Sequence, residues 1–121
     1  MSEPASIMMV GEIASQAADA IRALNDLTSD GADFASLDDV REVIASLERM
    51  GQDLPYLCEQ LARIVVVQRE EGQIAHHPGQ DPDFWVVEVV QALAAAGQAA
   101  DMMTAALTQA RKTSAELRSA R

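Results

Sequence analysis

The sequence predicts an all-α protein, an antiparallel bundle of three long helices. Three observations carry that prediction. Apolar residues recur at alternating three- and four-residue spacing in each third of the chain, which is the period of one helix face. Helix-stopping and helix-starting residues separate these stretches, at Thr28-Ser29-Asp30-Gly31 and again between Gln73 and Asp81. The β-branched runs Ile64 to Val67 and Val86 to Val90 continue a helical phase on at least one side, so they read as helix despite their strand propensity.

The first helix is expected over about residues 6–27. Val10, Ile13, Ala17, Ala20, Leu24 and Leu27 form its stripe, and Ile7, Ala14 and Ile21 widen it. Gly31 is free to take a left-handed conformation and so stops it. Ser36 then reads as an N-cap, with Asp38 and Asp39 supplying favourable charge in the first turn of the next helix.

The middle helix is expected over about 37–71. Its stripe is Val40, Val43, Leu47, Met50, Leu54, Leu57, Leu61 and Ile64, in one phase throughout. Gly51 and Pro55 interrupt it. A proline inside a helix forfeits a hydrogen bond and presses on the carbonyl four residues back, here that of Gly51. The helix therefore either runs on with a kink near 51–55 or breaks there and restarts with Asp53 as cap, giving three to four segments. Residues 72–81, with His76, His77, Pro78 and Gly79, read as a loop.

Asp81-Pro82-Asp83 is a strong start signal: a capping carboxylate, proline at the first helical position, then a second acid. The last helix is expected over about 82–118, at about 55 Å against about 33 Å for the first. Its seam is Val86, Val89, Leu93, Ala96, Ala100, Met103, Leu107, Ala110, Ser114 and Leu117, of which only the serine is polar. Near its start, from Phe84 to Ala96, only Glu88 and Gln91 are polar. A helix apolar on nearly all sides is normally surrounded. The interface residues expected on this ground are Phe84, Trp85, Val86, Val89, Val90, Leu93, Ala96, Ala100, Met103 and Leu107.

Composition narrows the function. The 121 residues support a single domain with a modest core. Aromatics are 3% of them, too few to wall a pocket for a planar ligand. Nineteen acids against nine bases give a net charge of −10, which opposes direct binding to nucleic acid or to an anionic membrane. No secretory signal or membrane-length apolar run is visible, so a cytoplasmic location is expected. The single cysteine, Cys58, has no internal disulfide partner and reads as a small buried hydrophobe.

Candidate chemistry is thin. His76 and His77, with Glu70, Glu71, Asp81 and Asp83, are the one cluster with zinc-ligand chemistry. Adjacent loop histidines lack the fixed frame that a His-x-x-x-His or Glu-x-x-His helix supplies, so no metal is assigned. Cys58 has no basic neighbour to activate it, and no phosphate loop or serine elbow is present. Glu59, Glu70 and Glu88 are the carboxylates nearest the apolar stripes, but nothing in the sequence tunes them. Neither a catalytic residue nor a cofactor is expected. The expected function is a non-catalytic protein–protein interaction module: a small cytoplasmic adaptor or regulatory subunit that self-associates, as a homodimer, and that can hold another protein. The alternative is an acidic mimic of nucleic acid that inhibits a DNA-binding protein.

Overall fold

The computed structural model describes residues 2–29, 36–75, 81–118 and 120. Among the described residues it consists of three helices, α1 (Ser2–Thr28), α2 (Leu37–Glu70) and α3 (Pro82–Ser114), and no strand. The all-α prediction is met. The chain divides into two compact units, Met1–Asp39 and Val40–Arg121. Gly31 and the His76 to Gln80 part of the expected loop lie outside the described residues.

In the first unit α1 begins four residues before the expected start. Pro4 falls in its first turn, where a missing N–H costs nothing because those amides have no intrahelical acceptor. The helix ends where Thr28 and Ser29 turn back on it. The Thr28 hydroxyl donates to Leu24 O at 2.7 Å, and the Ser29 hydroxyl donates to Asp26 O at 3.0 Å. The Thr28 hydroxyl also reaches Asn25 O at 3.3 Å, and the Asn25 and Asp26 carbonyls are ones that a continuing helix would have used. Ser36 caps as expected. Asp39 N donates to Ser36 Oγ at 3.1 Å while Ser36 N donates to Asp39 Oδ2 at 3.2 Å, a reciprocal capping box with aspartate in the usual glutamate position.

In the second unit, α2 and α3 lie side by side and antiparallel. Arg41 near the start of α2 reaches Ser114 at the end of α3, and Arg69 at the end of α2 pairs with Asp83 at the start of α3. The helices match in length, 34 and 33 residues. The break considered at Gly51–Pro55 does not occur, and Asp53 is an interior position rather than a cap. The helix stops in a Schellman motif. Gly72 sits at φ +73°, Gln73 N donates to Gln68 O and Gly72 N to Arg69 O. Asp81 caps α3 as expected, accepting from Asp83 N at 2.9 Å with Pro82 in the first turn.

The expected end of α3 at residue 118 is corrected to Ser114. Arg41 explains the difference: its guanidinium donates to Ser114 O at 2.9 Å and also to Leu117 O. Those carbonyls are held by α2 instead of by a further turn. Glu116 N and Leu117 N then bond three residues back, so the chain tightens and leaves the helix.

Candidate functional site

The contact between α2 and α3 is built from small and polar residues. On α2 it runs through Arg41, Glu48, Gly51, Pro55, Cys58, Ala62, Val65 and Arg69, and on α3 through Val86, Val90, Leu93, Gly97, Ala100, Thr104, Thr108, Arg111 and Ser114. Two glycines bring the backbones together. A methyl group on Gly51 would lie 2.3 Å from Thr104 Oγ1, and one on Gly97 would touch Pro55 Cα at 3.6 Å. Val86 and Ala100 are the buried apolar side chains among the described residues.

One carboxylate is buried in this contact. Glu48 is 6% exposed; it accepts from Thr108 Oγ1 at 2.6 Å and from Arg111 Nε at 2.5 Å. The Arg111 hydrogen bond, then that from Thr108, holds its carboxyl below the usual carboxylate range against the opposing effect of burial. Its partners are matched and directional, which makes this a structural clamp between the helices. Of the carboxylates weighed from sequence, Glu59, Glu70 and Glu88 are all exposed, and Glu59 pairs with Arg63 one turn on. Glu48 was missed. The signal that could have found it is its place in phase with Gly51, Pro55 and Cys58, the small-residue line.

The consequence for the large apolar residues is that they lie elsewhere. The expected α2 stripe, Val40 to Ile64, falls one residue before the contact positions and is rotated about 100° from them. On α3 the same offset selects Trp85, Val89, Ala92, Ala96, Ala99, Met103, Leu107 and Ala110. Because the helices run in opposite directions, the two offset stripes turn to the same side of the pair. Positions one residue after the contact line confirm the geometry on the other side. There Glu59, Ala94, Gln98 and Asp101 line an open groove of about 380 Å³ with Pro55, Cys58 and Gly97.

One side of the hairpin is thus polar and grooved, and the other is a continuous apolar face. Sixteen positions make that face, eight from each helix, and none carries a charge in a chain with 28 charged residues. Leu57 is 47% exposed, Leu61 41%, Ile64 50%, Val89 43% and Met103 42%. Isolated exposed leucines are ordinary on protein surfaces, whereas a contiguous uncharged face marks a contact.

The expected interface residues divide between these surfaces. Val86, Leu93 and Ala100 turn toward α2, and Val90 lines the groove beside Pro55. Trp85, Val89, Ala96, Met103 and Leu107 belong to the apolar face. Phe84 is exposed and meets Trp85 edge to face, with centroids 4.9 Å apart at 88°. Trp85 and Val89 also flank a small apolar hollow of about 180 Å³ with Val65, Ile74 and Pro82, at the end of the hairpin near the Asp81 cap.

Cys58 is half-buried and packs toward Gly97, its Cβ 3.8 Å from where a methyl on that glycine would stand. Among the described residues no three His, Cys, Asp or Glu side chains converge as metal ligands, and His76 and His77 lie outside them. No described helix is long and apolar enough to cross a membrane. No family model, no curated protein and no solved structure matches the chain.

Proposed function

We propose that this protein is a non-catalytic protein–protein interaction module, a small cytoplasmic adaptor or regulatory subunit that docks helix against helix. The observation that carries the reading is the uncharged apolar face of the α2–α3 hairpin. Its long stripes suit an amphipathic helix or helix pair laid along them, with burial giving affinity. The contact within the hairpin is satisfied by small residues and by the Glu48 clamp, so α3 does not consume the large side chains of α2.

The test is capture of partners by the tagged full chain from its native host, at low and at high salt, beside the double variant Leu57→Glu/Leu61→Glu. A stoichiometric protein partner retained at high salt and lost by the variant is expected, since apolar burial is insensitive to screening. A partner lost at high salt but still held by the variant would overturn the reading and favour an acidic surface mimicking nucleic acid.

A further inference from the structure

We infer that the partner covering the apolar face is a second copy of this chain, joined about a two-fold axis parallel to the helices. The inference rests on the docking reading above and adds the identity and orientation of the occupant. Three features of the face support it: its size profile, its area and its lack of charge.

The size profile is asymmetric. The α2 stripe is bulky, whereas four of the eight α3 positions are alanine, three of them in the middle of the stripe. Close approach of Gly51 to Thr104 and of Gly97 to Cys58 sets which residues stand level. That register places Leu57 level with residue 98, between Ala96 and Ala99, Leu61 level with residue 94, between Ala92 and Ala96, and Leu54 level with residue 101, between Ala99 and Met103. A two-fold axis along the helices lays each α2 on the partner's α3 without shifting the level, so leucine meets alanine and every neighbouring pair is antiparallel. A two-fold axis across the helices would lay α2 on the partner's α2 and α3 on the partner's α3. Leucine would then crowd leucine while the alanine stripes stood apart. Close packing selects the first arrangement, an isologous four-helix bundle.

Area and charge agree with it. From Val40 to Ile64 the face is about 37 Å long, and two helices are about 20 Å wide. Pairing would cover roughly 700 Å² on each copy, within the range of a stable interface of standard size. A chain of net charge −10 meets its copy against a general repulsion. The apolar face is where that repulsion is least, since no acid lies on it.

The test is the mass of the full chain in solution by sedimentation, at low micromolar concentration, with helix content followed by circular dichroism. The expected mass is twice the 13.0 kDa of one chain. Leu57→Glu is expected to give a helical monomer. Ala96→Leu adds apolar surface yet should weaken pairing by about tenfold or more, because it overfills the site beneath the partner's Leu57. Adding Leu57→Ala to it should restore most of the affinity, which distinguishes lost complementarity from misfolding. A monomeric wild-type chain, an assembly larger than a dimer, or a dimer that Ala96→Leu strengthens would each overturn the inference. A monomer that still loses its cellular partner on Leu57→Glu/Leu61→Glu would leave the docking face standing and remove only the self-pairing.

Discussion

Replacing Gly51 with alanine sets two effects of opposite sign against each other. In an unpacked helix Gly→Ala stabilises by about 0.8–1 kcal/mol, through backbone entropy. Here the new methyl would stand 2.3 Å from Thr104 Oγ1, 3.3 Å from Met103 Cε and 3.4 Å from Thr104 Cβ. Thr104 is held in place, its hydroxyl donating to Ala100 O at 2.8 Å. Turning it away forfeits that bond, about 1 kcal/mol, and the remaining overlap pushes the helices apart at a cost of about 1–3 kcal/mol. The net effect is destabilisation of about 2 kcal/mol.

Gly97→Ala provides the internal control. Its methyl would touch Pro55 and Cys58 at 3.6 to 3.8 Å, ordinary van der Waals distances, so the propensity gain survives and the variant is stabilised by about 0.5–1 kcal/mol. Urea unfolding followed by circular dichroism, at one protein concentration, reads both signs. Combining Gly51→Ala with Thr104→Ala removes the offending oxygen and should recover much of the loss, a coupling of about 1–3 kcal/mol. If Gly51→Ala stabilises as Gly97→Ala does, the close approach of α2 to α3 at that level is refuted.

Two further outcomes follow from the clamp and the cap. Because the Glu48 carboxyl is held below its unfolded-state value, its stabilising contribution is present above the unfolded carboxylate range and is lost as pH falls through the depressed folded value. Unfolding midpoints measured across the acid range should therefore decline more steeply for the wild type than for Glu48→Gln, and parallel curves would remove the clamp. Asp81→Ala should cost about 1 kcal/mol by freeing the Asp83 amide, whereas Asp83→Asn, which breaks only the largely exposed pair with Arg69, should cost less than about 0.5 kcal/mol.

The helices and most of their ends were legible in the sequence because they are set by local chemistry. Ser36 and Asp81 cap by short-range hydrogen bonds, and Gly72 closes α2 because a positive φ is cheap for glycine alone. The end of α3 was not legible: it depends on Arg41, 73 residues earlier, taking the Ser114 carbonyl. The continuity of α2 through Pro55 was one of two readings the sequence left open, its unbroken apolar phase pointing to it, and the packing of Pro55 against Gly97 of α3 is a long-range contact the sequence does not display.

Which line of α2 turns to α3 was not legible in the sequence, and the cause is physical. Periodicity finds the most apolar line on a helix, and close packing need not use it. Two helices approach furthest where side chains are smallest, so Gly51 and Gly97 decide the contact between α2 and α3 while the leucines stand beside it. Dispersion rewards the close backbone approach, and the Glu48–Arg111–Thr108 clamp fixes the register without apolar bulk. A chain assembled this way keeps its strongest apolar seam unspent after the hairpin has formed. Leaving six bulky residues of α2 in water would be a persistent association hazard. On the proposed self-pairing that liability is removed, and the small-residue contact inside the hairpin is what leaves the large residues free to form the face outside it.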